Sequence, residues 1–293
     1  MSDTLVDTSI SRKAKDVTAG FVGGAVQVLI GQPFDLIKVR LQTGQFRSPI
    51  EAFQSTLKNE GARAFYKGTL APLFGVGACV SVQFYGFHEA KRQLLKYSNS
   101  QTLTMGQVYL AGAFSGFVNT PITSPVEQLR IISQTQKTTP VLGPKQLLRN
   151  IYTEHGLVRG VFRGFNITLV RECQAYGTWF LTYEYLMQNA IKSRNITRDQ
   201  ISTPELMAYG ALAGEMLWLS SYPLDVIKSR IQSDGFGAAK SKYNGKWNLV
   251  IKDIMRVDGI RGFWRGIGPA LVRAIPCSAG TFATVELTLR LLG

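Results

Sequence analysis

One ten-residue pattern occurs three times in this chain, and its spacing constrains the fold more than any other feature. Pro33-Phe34-Asp35-Leu36-Ile37-Lys38 ends four residues later in Gln42, Pro125-Val126-Glu127-Gln128-Leu129-Arg130 in Gln134, and Pro223-Leu224-Asp225-Val226-Ile227-Lys228 in Gln232. The prolines stand 92 and 98 residues apart. A Gly-x-x-x-Gly pair recurs upstream in register (Gly20/Gly24, Gly112/Gly116, Gly210/Gly214), its second glycine nine residues before each proline. Downstream come Glu60-Gly61 with Tyr66-Lys67-Gly68, Glu154 and Gly156 with Phe162-Arg163-Gly164, and Asp258-Gly259 with Trp264-Arg265-Gly266. A fixed period of this kind means one supersecondary unit used three times, and it overrides the two-domain prior that 293 residues would otherwise carry.

After a tail over 1–15, the copies occupy 16–100, 101–199 and 200–293. Each reads as a long helix, a polar connection with a short helix, and a second long helix. The first helices are expected near 16–43, 107–136 and 204–233, the second near 69–97, 165–192 and 267–291. About 27 residues at about 1.5 Å each give a rod of some 40 Å, enough to cross a bilayer core of about 30 Å. Gln27, Gln83, Glu172 and Glu215 interrupt the apolar runs. Hydropathy alone therefore undercalls these helices, although such residues are tolerated where they face a water-filled cavity. The glycine pairs are expected to let helices approach closely, and the prolines to kink them.

Composition excludes several classes. The chain is 45% hydrophobic with mean hydropathy +0.03 and net charge +14. Such a surplus fits either nucleic acid or anionic phospholipid, and charge alone does not choose. A basic nucleic-acid-binding or scaffolding repeat, however, gives no reason for Pro, Gly and charged positions to recur in register. Cys79, Cys173 and Cys277 lack paired spacing, and His88 and His155 are the only histidines. No disulfide framework, metal site, cofactor motif or nucleophile–base pair emerges, so the chain does not read as an enzyme. The start, with Asp3 and Asp7, shows no cleavable presequence.

Together these residues resemble the mitochondrial carrier family over about residues 15 to 292. The departures are modest: Ile132-Ser133 stands where the other copies have Arg40-Leu41 and Arg230-Ile231, and His155 interrupts the Glu-Gly step. The resemblance implies an all-α membrane protein of six transmembrane helices in three tandem hairpins with pseudo-threefold symmetry and short matrix helices. It implies a multi-pass, monomeric carrier of the mitochondrial inner membrane, working by alternating access and bound to cardiolipin and other inner-membrane lipids.

Asp35 and Lys38 could pair locally at i,i+3, a contact worth a few tenths of a kcal/mol. The resemblance implies instead a matrix gate of links between helices: Asp35 with Arg130, Glu127 with Lys228, and Asp225 with Lys38, braced by Gln42, Gln134 and Gln232. The opposite, cytoplasmic gate reads as weak. By the geometry that the resemblance implies, among Lys91, Glu184 and Glu286 only Lys91 and Glu286 can bridge, although Glu89 and Arg92 can pair locally. A cytoplasmic-open resting state is therefore expected.

Substrate contacts follow from counting eight residues past the base of each aromatic-base-Gly signal, which reaches Gly75, Arg171 and Arg273. The resemblance makes these the contact points, and Arg171-Glu172 resembles the amino-acid-carrying subgroup. A guanidinium matches a carboxylate, and Glu172 would match an ammonium. Two arginines and one acid favour glutamate or glycine over dibasic cargo. A structural Arg-Glu bridge is the plainer alternative. A tryptophan at the position of Trp218 resembles the carnitine carriers and keeps acylcarnitine as the rival, since an aromatic face attracts a quaternary ammonium; interhelical packing or an interface anchor is the commoner role of such a residue. Basic amino acids and keto acids follow. Cys79, Gln83 and the other cysteines are candidates for the cavity wall, which predicts inhibition by thiol reagents. Gly68, Gly164 and Gly266 open the second helices, whose N-termini suit phosphate, and the resemblance makes them cardiolipin sites.

Overall fold

The computed structural model describes residues 10–98, 102–136, 142–236 and 241–292. Within these residues the chain is all helix, with no strand. The long helices are α1 (Ile10–Gln42), α3 (Leu70–Ser98), α4 (Met105–Thr135), α6 (Phe165–Arg194), α7 (Thr203–Ser233) and α9 (Ile267–Leu292). Between the members of each pair lies a short helix: α2 (Pro49–Glu60), α5 (Pro144–Gly156) or α8 (Trp247–Val257).

Local chemistry explains the boundaries. Thr104 and Gln107 form a reciprocal capping box at the start of α4. Proline sits in the first turn of α2, α5 and α7, where its missing N–H costs nothing. Pro33, Pro125 and Pro223 lie inside α1, α4 and α7 and each removes a helical hydrogen bond. A tight 3₁₀ turn follows α2 (Ala62–Tyr66) and α8 (Ile260–Trp264), whereas a wider π-type turn (Leu157–Val161) follows α5. The cause is length: the acid and base stand nine residues apart in Glu154–Arg163 but seven in Glu60–Lys67 and Asp258–Arg265.

The helices close into a ring, with α3 packed on α4, α6 on α7, and α9 returning to α1. Each short helix pins the end of its repeat's first helix. Ala52 packs with Leu36, Ile37 and Leu41; Leu147 and Ile151 pack with Ile132; Val250 and Ile254 pack with Val226, Ile227 and Ile231. Large apolar side chains such as Phe21, Phe114, Phe117, Leu212, Met216 and Ile275 stay exposed around the ring. Among the described residues no helix is long and apolar enough to cross a membrane.

The glycine pairs behave unequally, which corrects the expectation of three close helix approaches. A Cβ on Gly112 would lie 2.6 Å from the Tyr176 carbonyl, and Gly116 abuts the backbone of Glu172 and Cys173. Gly24, Gly210 and Gly214 have nothing within 4 Å of that position. The reason is the packing within hairpins: α4 lies tightly along α6, whereas α1 with α3 and α7 with α9 touch sparsely.

Candidate functional site

The prolines of α1, α4 and α7 bring the residues that follow them to one level, where three bridges join three helices in a cycle. Arg130 Nη2 lies 2.5 Å from Asp35, Lys228 Nζ 2.8 Å from Glu127, and Lys38 Nζ 2.6 Å from Asp225. The local i,i+3 alternative occurs only as a longer contact in the third repeat, Lys228 to Asp225 at 3.5 Å. Lys38, Asp225 and Lys228 are buried. In such surroundings a pair is held strongly, and removing one partner is costly.

Two arginines from the second helices join this cycle. Arg171 Nη2 lies 3.2 Å from Glu127, its Nε 3.8 Å from Asp225, and the side chain also contacts Glu172. Arg273 Nη1 lies 3.5 Å from Asp35. Trp218 carries the Lys38 ammonium 4.0 Å from its ring centroid and the Arg273 guanidinium at 6.0 Å. Trp218 and Arg273, with the cycle's charged residues, line a cavity of about 100 Å³.

The glutamines divide. Gln42 donates to Asp225 at 2.9 Å and accepts from Ser229 at 2.8 Å. The Gln134 side-chain amide is buried without a hydrogen bond, and that of Gln232 donates to Thr168 at 3.4 Å, so neither braces a ring carboxylate. The expectation of three equivalent braces is corrected to one. In the other two copies, packing beside Gly68 or the nearby Thr168 hydroxyl claims the amide instead.

The remaining expected residues are scattered more widely. Gly75 faces α4, where a Cβ would press on Val126 at 3.1 Å. Cys79 and Cys173 are half-buried; Cys277 is buried, its thiol 3.6 Å from the Gln27 carbonyl. Gln83 accepts from Ser115 through its backbone carbonyl at 2.7 Å. Glu184 turns to Arg198 at 3.4 Å and accepts from Gln188 at 3.2 Å. Lys91 is half-buried, and the side chain of Glu286, its expected partner, lies outside the described residues. Glu89 and Arg92 pair locally. Gly68, Gly164 and Gly266 take positive φ (79°, 74° and 86°) just before α3, α6 and α9, a conformation glycine adopts without strain. Gly68 lines a groove of about 360 Å³ shared with Gly143 and Pro144, and Gly164 one of about 1100 Å³ shared with Trp247 and Asn248. Among the described residues no group of side chains could hold a metal ion.

A second tier of contacts below the cycle was missed. Arg40 grips Glu60 with both guanidinium nitrogens (2.6 and 2.9 Å) and donates through Nε to the Gln134 carbonyl at 3.3 Å. Lys67 reaches the same Glu60 at 2.5 Å. Burial alone would push the Glu60 carboxyl up, but the hydrogen bonds from Arg40 and Lys67 outweigh it and hold it at about 2. Arg230 repeats the arrangement, pairing with Asp258 at 2.9 Å and donating to the Gln42 carbonyl at 3.0 Å. Ile132 replaces this arginine in the second repeat. There Gln128 donates to the Gln232 carbonyl at 3.0 Å, and Arg163 turns to Asp234 at 3.2 Å. The signal was present in the sequence, as an arginine seven residues past two of the three prolines.

The family model described as mitochondrial carrier protein matches three successive segments, residues 11–98, 101–194 and 199–293. The chain belongs to the mitochondrial carrier family. Among curated mitochondrial carriers it is 42% identical to the glutamate/glycine mitochondrial carrier ymc1 of Schizosaccharomyces pombe, covering 98% of this chain and 97% of that one. It is 43% identical to the mitochondrial glycine transporter YMC1 of Saccharomyces cerevisiae, covering 97% and 93%. The mitochondrial carnitine/acylcarnitine carrier protein of Rattus norvegicus is more distant, at 32% identity over 95% of this chain and 94% of its own.

Proposed function

We propose that this chain is a mitochondrial inner-membrane carrier that moves a small amino acid, glycine or glutamate, by alternating access, and that it is not an enzyme. The observation that carries the reading is the placement of Arg171 and Arg273 against the carboxylates that hold the ring closed. Each guanidinium is offered to an acid it shares with a ring cation. A substrate carboxylate competes for the same donors, so binding and ring opening are coupled through the same atoms. The named activities of the glutamate/glycine and glycine carriers support this cargo.

The six long helices act as the membrane-spanning elements. Their exposed apolar residues face lipid, and their charged residues converge on the interior. The ring of bridges is the matrix gate, and its closure makes this the cytoplasmic-open state. The grooves at Gly68 and Gly164 each combine the start of a long helix with the start or flank of a short one, a geometry suited to a phosphate headgroup such as that of cardiolipin.

Acylcarnitine is the second reading, through Trp218. The Lys38 ammonium already occupies that ring's vicinity at 4.0 Å, so a quaternary ammonium would have to displace it. Purified carrier in cardiolipin-containing liposomes, assayed with labelled glycine, glutamate and carnitine, decides between them. Saturable glycine or glutamate uptake is expected. Carnitine exchange without amino-acid uptake would overturn the assignment.

A further inference from the structure

The amino-acid reading needs an acid that a substrate ammonium can reach, and Glu172 is buried in this state. Its side chain is 2% exposed and lies against Arg171, which is itself engaged with Glu127 and Asp225. Another acid is placed differently. Helical spacing puts Glu215, Trp218, Tyr222 and Asp225 on one face of α7. Asp225 belongs to the ring and Trp218 lines the cavity beside it, so this face looks into the bundle. Leu212, Met216 and Leu219 form an exposed apolar face of the same helix.

Glu215 is half-buried and, among the described residues, makes no hydrogen bond or ion pair. Arg273 of α9 lies 6.0 Å from the ring of Trp218, which stands three residues from Glu215 on the same helix face. That guanidinium also reaches Asp35 at 3.5 Å, and its buried Nε has no hydrogen-bond partner. An incompletely satisfied guanidinium therefore lies beside an aromatic face that lines the cavity, with an acid one turn along the same inward face of α7. Ionisable groups inside a membrane bundle are costly to keep, and one without a fixed partner is available to a ligand.

We propose that Glu215 holds the ammonium group of the substrate while Arg273 takes its carboxylate, with the Trp218 face between them. The pair then selects α-amino acids over the corresponding hydroxy or des-amino acids. The proposal rests on the amino-acid reading above.

The test uses the full chain in liposomes and whichever of glycine or glutamate the wild type takes up, compared with glycolate or glutarate respectively. Glu215→Gln is expected to raise KM for the amino acid by about 10- to 100-fold, the worth of one charged hydrogen bond, with a smaller change in kcat. Its preference for the amino acid over the amine-free analogue should fall by a similar factor, and Glu215→Asp should recover part of it. A purely structural role would depress both substrates together. Unchanged KM and preference in Glu215→Gln would overturn the proposal, as would loss of preference in Glu172→Gln instead. If Glu215→Gln does not fold, Glu215→Ala is read in the same way, and wild-type KM and preference in that variant would overturn the proposal. Absence of any amino-acid uptake by the wild type is a separate result, which removes the functional reading itself.

Discussion

Lys38 lies 2.6 Å from Asp225 while its ammonium sits 4.0 Å from the centroid of the Trp218 ring, so one side chain of α1 is held by both an acid and an aromatic of α7. Asp225 in turn accepts from Gln42 and lies within 3.5 Å of Lys228. It is the most connected acid of the ring, whereas Glu127 pairs with two cations that each have a second acid nearby.

That difference ranks two substitutions. Asp225→Asn removes the acid paired with buried Lys38 and should cost about 3–5 kcal/mol of closed-state stability. Glu127→Gln should cost less, because Lys228 keeps Asp225 and Arg171 keeps Glu172. Thermal unfolding of the detergent-solubilised protein reads the order, and an equal or reversed ranking would contradict this account of the ring.

Glu60 sets a pH dependence. Its folded pKa of about 2 lies below the ordinary value of 4.5, so its contribution is complete above about 4.5 and is lost as pH falls through about 2. The gap in unfolding temperature between wild type and Glu60→Gln should stay constant from about pH 8 to 5 and then close in acid. A gap that changes between pH 8 and 6 would point to another group.

Arg40 grips Glu60 with two nitrogens while capping Gln134, and a lysine cannot reproduce that fork. Arg40→Lys should therefore lose nearly as much thermal stability as Arg40→Ala. Near-wild-type stability in Arg40→Lys would show that charge, rather than bidentate geometry, is what matters.

The glycines give a contrast on one motif. Gly112→Ala forces a Cβ to within 2.6 Å of the Tyr176 carbonyl and should destabilise by about 1–3 kcal/mol. Gly210→Ala meets nothing within 4 Å and should leave stability unchanged or raise it by up to about 1 kcal/mol, since alanine is the better helix former. Equal effects would contradict the unequal hairpin packing.

Much of the architecture was legible because it is periodic. The helices expected at 107–136, 165–192 and 204–233 occur at 105–135, 165–194 and 203–233, since proline, glycine and capping residues act on their own local backbone. The cycle of Asp35, Glu127 and Asp225 with Arg130, Lys228 and Lys38 was named from the repeat and a family resemblance, and its distances are now known. Less legible were the places where three copies do different things. Gln42 reaches Asp225 while the side-chain amide of Gln134 makes no hydrogen bond, although both fill the same position in their repeats. Glu172, expected to face substrate, lies buried against Arg171 in this state, a contact that spacing alone does not give.

The sequence by itself determined the helical unit, its threefold use and the level at which its charges gather. Each of these follows from spacing along a helix, which is local. Only the tertiary structure decided which glycine pair closes on a neighbour, which glutamine braces the ring, and which acid is left without a partner. Those outcomes depend on distances between helices far apart in sequence or differently splayed in space. A change of an ångström or two there decides whether a side chain bonds, packs or stays free.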